Sequence, residues 1–204
     1  MNGPETALEI GYLPAQLTKQ DALAVLRRER FRVLKRLFHL RRAAPVIESR
    51  VQLIWMPHYL IDLEIESVRG TAIQRVTLDA YCAVFALWNI EDPPAHGVPG
   101  GESFPPRMDV STATAKAAVA LTNTTLHMRG QKGKPKVNRH TAIQLLYYPY
   151  WVCYTERRPG KYDIRIVDGA MGEQPGNQIK RAVLEAFIDA SRRSQDESDR
   201  PAAE

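Results

Sequence analysis

The chain has 204 residues, 44% of them hydrophobic and 25% charged. That balance sets aside a disordered polyelectrolyte and allows one domain or two small ones. Lys and Arg number 28 against 23 Asp and Glu, a net charge of +5; this permits an anionic partner without requiring one.

Cys82 and Cys153 are too few for a structural zinc site. They allow one disulfide on paper. However, the N-terminus carries Glu5 and Glu9 and lacks a basic segment followed by an apolar run. It therefore does not read as a secretory signal, and no stretch approaches the ~20 apolar residues of a membrane span. A cytoplasmic location with both thiols reduced is the expectation, and Cys82, inside an apolar run, is expected to be buried.

Residues 1–17 read as an N-terminal arm. Thr18 and Asp21 have the spacing of a capping box, and a helix is expected from there to Arg42. Leu23, Leu26, Val33, Leu37 and Leu40 form its apolar stripe. Its other face is basic, with Arg27, Arg28, Arg32, Lys35, Arg36, Arg41 and Arg42. Pro45 closes the helical region.

From 51 to 66 the period changes to two, with Tyr59, Ile61, Leu63 and Ile65 alternating with His58, Asp62, Glu64 and Glu66. That predicts a half-buried strand, with Pro57 at a bulge, a bend or the sheet edge. A turn at 68–71, a strand at 73–78 and a third strand at 80–88, covered on both faces, follow. Residues 91–107 hold five prolines and three glycines, the composition of a linker or long surface loop. An Ala- and Thr-rich helix is expected at 111–128, then a basic loop to 140, strands at 142–156 and 161–167, and a helix capped by Asn177. Residues 191–204 read as a flexible tail.

The string QLIWMPHY at 52–59 recurs as QLLYYPYW at 144–151, 92 residues later and without a gap. Both copies keep an aromatic, a proline and a second aromatic in register, and both lead through two strands to Asp79 or Asp168. The fold class expected is α+β: two helix-plus-antiparallel-meander units (18–90 and 110–190), joined by a Pro/Gly-rich linker at 91–109, with a C-terminal helix at the end of the second.

The stretch from Leu145 through Gly176, with its Tyr-Pro-x-Trp strand and Val-Asp-Gly-x-x-Gly turn, resembles PepSY-like modules. In those, a helix packs on a small antiparallel meander. Asp168, Gly169 and Gly172 match the family's turn; the first copy keeps Asp79 but has Ala80 and Ala83 where the glycines stand. The resemblance implies a binding module rather than a chemistry.

No nucleophile elbow, phosphate loop, dinucleotide fingerprint or metal-type histidine spacing occurs in the sequence. Neither catalytic residues, metal ligands nor a cofactor are assigned, and no enzymatic activity is expected. Asp62, Glu64 and Glu66, with His58, read as the solvated face of a strand rather than a cation site. Candidate binding residues for a partner or an anion are Arg27, Arg28, Lys35 and Arg36 on the first helix, and Arg129, Lys132, Lys134, Lys136 and Arg139 in the basic loop. Trp55, Tyr59, Tyr148, Tyr150 and Trp151 are candidates for an aromatic groove or, more simply, for the core. The leading expectation is a module engaging a protein partner or a second copy through sheet edges, aromatic groove or basic helix. Binding of nucleic acid or an anionic membrane through 27–42 and 129–139 is the alternative. An enzyme with an unrecognised site ranks third.

Overall fold

Both aromatic–proline segments lie inside single long strands. A computed structural model describes residues 8–36, 46–67, 70–91, 93–126 and 136–198. In chain order the elements are β1 (Glu9–Tyr12), α1 (Lys19–Arg36), β2 (Val46–Ser67), β3 (Gly70–Asp79), β4 (Phe85–Leu87), β5 (Ala95–His96), β6 (Glu102–Ser103), α2 (Val110–Leu126), β7 (Lys136–Arg158), β8 (Lys161–Asp168) and α3 (Asn177–Ser198). The protein is α+β, with one mixed sheet in the order β4-β3-β2-β7-β1-β5; β6 pairs with β2 and β8 with β7. No described helix is long and apolar enough to cross a membrane.

The chain divides into two compact units, each drawn from two stretches. The first comprises Met1–Pro14 and Met56–Tyr148. Here β2 and β3 pair antiparallel from His58↔Asp79 to Ser67↔Gly70. β1 runs parallel to β7, and β5 antiparallel to β1. Tyr59, Ile61, Leu63, Val76 and Leu78 fill its core, and α2 packs on β3. Ala113, Ala117 and Leu121, one helical turn apart in succession, are the buried stripe of α2.

The second unit comprises Ala15–Trp55 and Pro149–Glu204. In it β7 pairs with β8 from Tyr150↔Asp168 to Arg158↔Lys161. Ala22, Leu23 and Leu26 of α1 share a core with Val51, Cys153 and Val167. Leu26 is 1% exposed, so its burial contributes about 2 kcal/mol. α3 lies against β8 through a face on which Ile179, Ala182, Val183 and Ala186 are buried.

Local chemistry explains the boundaries. Thr18 and Asp21 form the expected capping box: the Asp21 N–H donates to Thr18 Oγ1 (3.3 Å) and the Thr18 N–H to Asp21 Oδ2 (3.0 Å). The Thr18 hydroxyl also donates to Asp21 Oδ2 (2.7 Å), and that bond, with the one from the Thr18 N–H, holds the Asp21 carboxyl below its usual range. The remainder of the expected helix, 37–42, lies outside the described residues. Asp109 caps α2, accepting the Thr112 N–H at 2.8 Å. The threonines tolerated in α2 return their hydroxyls to carbonyls one turn back, Thr114 to Val110 and Thr122 to Ala118.

Several sequence expectations need correction. Residues 80–88 form no full strand; only Phe85–Leu87 pairs, with β3 at 76–78. The Asp79 carboxylate takes the Cys82 N–H at 2.5 Å and pulls the chain into a turn, which leaves Cys82 half-buried. β2 starts at Val46 rather than 51, and Pro57 causes no break because it stands one residue beyond the last β2–β3 pair. The N-terminal arm contributes β1. A Cβ on Gly11 would come within 2.7 Å of Gln144 Nε2 and 2.8 Å of the Ala95 carbonyl, so β1 fits between its neighbours only with glycine there. Gly176, not Asn177, caps α3, because its carbonyl accepts the first i+4 bond, from Lys180.

The turns after β3 and β8 match bond for bond. The Asp79 N–H donates to Val84 O (2.9 Å) and the Asp168 N–H to Glu173 O (2.8 Å). Ala83 donates to Asp79 O (3.1 Å) and Gly172 to Asp168 O (3.0 Å). Ala80 donates to Pro57 O (3.0 Å) and Gly169 to Pro149 O (2.9 Å). Beside each turn, the residue before a helix's capping residue is held at both ends. Met108 donates its N–H to Ala80 O (3.0 Å) and accepts the Tyr59 hydroxyl (2.6 Å). Leu17 donates to Gly169 O (3.0 Å) and accepts from Trp151 Nε1 (3.0 Å).

Candidate functional site: the outer edge of strand β3

The aromatic candidates fall in the core. Trp55, Tyr59, Tyr148 and Tyr150 are buried, and Trp151 packs against the α1 cluster. Tyr59 and Trp151 use their polar tips to hold Met108 and Leu17, so their motif positions have a fixed internal task.

The basic candidates separate. Arg27 and Arg28 stand exposed on α1, and Lys35 and Arg36 lie in its last turn. Lys136 opens β7 and is exposed. Arg139 is engaged with Glu64 at 3.3 Å. Arg129, Lys132 and Lys134 lie outside the described residues.

The acidic row of β2 is satisfied within its own unit. Arg75 binds Asp62 through two bonds of 2.7 Å. Asn138 donates to Glu64 and Glu66, alongside Arg139. Among the described residues, no group of three or more His, Cys, Asp or Glu side chains is placed to hold a metal ion.

Directly across the ladder from Asp79, His58 is buried, 3.3 Å from the Thr77 hydroxyl and with its ring 5.2 Å from that of Tyr148. Burial lowers its pKa to about 3, so the ring is neutral near pH 7, and an imidazole so enclosed is placed to pack rather than to exchange protons with a substrate. Cys153 is likewise buried, and its thiol is pushed up to about 11, which makes it inert rather than nucleophilic.

What remains is a sheet edge. β3 is paired with β2 along its length, but β4 covers its other side only at 76–78. Just beyond, the Trp88 N–H donates to Arg75 O at 3.1 Å, so Arg75 turns its backbone groups outward. Strand alternation then turns those of Thr71 and Ile73 outward too. Among the described residues no strand pairs with 71–74 on that side. Ile73, 63% exposed, is the most exposed large hydrophobic side chain described. Thr71, Ile73 and Arg75 share a face with their ladder partners Glu66, Glu64 and Asp62.

The outer edge of β8 is built differently. The Ile164 N–H, turned away from β7, is taken by Asp163 Oδ1 at 2.9 Å, and Lys180 of α3 grips the same oxygen. Arg50 covers the neighbouring Tyr162 ring at 4.7 Å. Charge placed on an edge in this way is a standard defence against strand addition. On β3 the charge is Arg75, drawn back onto Asp62 of β2, and Gln74 donates its Nε2 to Arg75 O. Sequence reasoning missed this edge because it expected a full third strand over 80–88; the available signal was the run Thr71-Ala72-Ile73-Gln74, which lacks a charge. No family model, curated protein or solved structure matches the chain.

Proposed function

We propose that this chain is a non-enzymatic binding and assembly module that accepts an additional β-strand along the outer edge of β3. The observation carrying the reading is the contrast between the two edges: Ile164 has its outward N–H satisfied by a lysine-held carboxylate, whereas Thr71 and Ile73 face outward beside an exposed isoleucine. A strand added here gains main-chain hydrogen bonds and covers Ile73. Selection of extended peptides from a displayed library on the full chain tests it. The expected peptides lose binding to Ile73→Pro, which removes one outward donor, and keep it with Val119→Asp on α2. Peptides indifferent to Ile73→Pro would contradict the reading.

The same proposal includes a duplication. The recurrent strand motif, the matched turns at Asp79 and Asp168 and the matched holds on Met108 and Leu17 support two copies of one PepSY-like helix–hairpin segment. Each copy's helix begins beside the other copy's turn: Leu17, ahead of α1, is held by Gly169, and Met108, ahead of α2, by Ala80. Anionic-surface binding ranks second, supported by exposed Arg27 and Arg28.

A further inference from the structure

We infer that the strand received by the β3 edge is a short antiparallel segment with a β-branched apolar residue opposite Ile73 and, two residues later, a lysine or arginine opposite Thr71. This rests on the strand-addition reading above and names the chemistry of its partner.

Trp88 sets the length of the contact. Its N–H on the Arg75 carbonyl carries the line of β4 one pair past Leu87, so the outer side of Arg75 is taken. Thr71 and Ile73 are the outward-facing residues of β3 that remain. A strand added there stands in line with β4, pairs along 71–74 and turns away from the sheet before it meets Trp88. Both neighbours of β3, β2 and β4, run antiparallel to it. An antiparallel newcomer exchanges both main-chain bonds with Ile73 and with Thr71, whereas a parallel one pairs slightly less stably.

The side chains set the sequence. Ile73 is 63% exposed, and a β-branched residue directly opposite covers it. Glu64, its ladder partner one strand behind, already holds Arg139 and Asn138, so the central row needs no charge. The row at Thr71 differs. Its ladder partner Glu66 is exposed and meets the uncharged Asn138 amide at 3.5 Å; among the described residues no cation is bound to it. Asp62, by contrast, is neutralised by Arg75 through two bonds of 2.7 Å. Threonine is short, so a lysine or arginine opposite Thr71 extends across it to Glu66. An aspartate or glutamate in that place faces Glu66 as a like charge. The residue between the two partner positions lies opposite exposed Ala72 and is left unconstrained.

The test is a displayed-peptide selection on the full chain, run on the parent, Glu66→Gln and Glu66→Lys. Fluorescence anisotropy of synthetic copies of the enriched peptides follows. The expected peptides carry lysine or arginine two residues after isoleucine or valine. Replacing that basic residue by glutamate weakens binding to the parent about fivefold at low salt, and less at high salt. Glu66→Gln, which keeps an amide-binding oxygen beside Asn138, removes the preference, and Glu66→Lys selects an acidic residue at the same position. Enriched peptides without a charge preference there, or with one that Glu66→Gln leaves intact, overturn the inference. So does the reverse order, basic residue first, which marks a parallel strand. In each of those cases, peptides that are lost with Ile73→Pro leave strand addition standing and only the stated partner wrong. Peptides indifferent to Ile73→Pro, or no enrichment at all, bring down both.

Discussion

Lys180 Nζ and Asp163 Oδ1 lie 2.5 Å apart, and the carboxylate they fix caps the outward N–H of Ile164. The pair spans α3 and β8, and its energetic weight is modest, about 1 kcal/mol or less for a partly exposed ion pair. Its consequence for assembly is larger, because it removes a free donor from an edge strand. Asp163→Ala is therefore expected to keep the fold while exposing a second edge. Light scattering should register higher-order association that the parent lacks, and the Ile164 amide should exchange faster. An unchanged mass and unchanged exchange at Ile164 would argue that the edge is closed by something else.

Ala83 has a φ of 56° where the matching turn has Gly172 at 72°. A side chain in the left-handed region costs roughly 1–2 kcal/mol, part of which glycine returns as entropy of the unfolded chain. Ala83→Gly should thus raise stability by about 0.5–1 kcal/mol, and Gly172→Ala should lower it by about 1 kcal/mol. Thermal or urea unfolding of the two single variants measures both. Opposite signs are the point of the test; two destabilisations would mean the turns are not equivalent.

Tyr59 and Trp151 each donate to the carbonyl of the residue before a helix's capping residue. Tyr59→Phe keeps the ring and removes one bond, and should cost about 1 kcal/mol. Trp151→Phe removes a bond and ring volume, and should cost more, about 2–3 kcal/mol. Urea midpoints report both. A neutral Tyr59→Phe would indicate that Met108 is held without that hydroxyl.

His58 gives the fold a pH dependence with a definite sign. It is neutral when folded, with a pKa of about 3, against 6.5 when exposed. As pH falls below about 6.5 the unfolded chain gains a proton that the folded one refuses. Stability then declines, at up to about 1.4 kcal/mol per pH unit, until about pH 3. Thr77, Tyr148 and Asp79 are its neighbours on the page of the sheet. His58→Gln should flatten the urea midpoint between pH 5 and 6.5, where ordinary carboxylates remain ionised. A midpoint in the parent that is already flat there would contradict the buried, neutral imidazole.

Much of the architecture was legible from local signals. The period-two run after Tyr59, the Thr18–Asp21 box and the stripe of α3 each express a rule that acts within a few residues, and each element formed. Two helix–hairpin units were expected in succession, free to share a core or join edges. The structure groups Ala15–Trp55 with Pro149–Glu204, a pairing of distant segments that no local period encodes. The site was less legible still. An aromatic motif suggested a groove, yet burial turned those rings into core and helix holds. Edge exposure depends on where a neighbouring strand stops, here just after Trp88, whose N–H still bonds the Arg75 carbonyl.

The central claim is that the β3 edge is open and the β8 edge closed, and residue-resolved amide exchange in dilute solution tests it most directly. The Thr71 and Ile73 amides are expected to exchange nearly unprotected, while Ile164 exchanges slowly. Protection at Thr71 and Ile73 as strong as at Ile164, in a chain shown to be monomeric, would mean that the edge is already covered and would contradict the account.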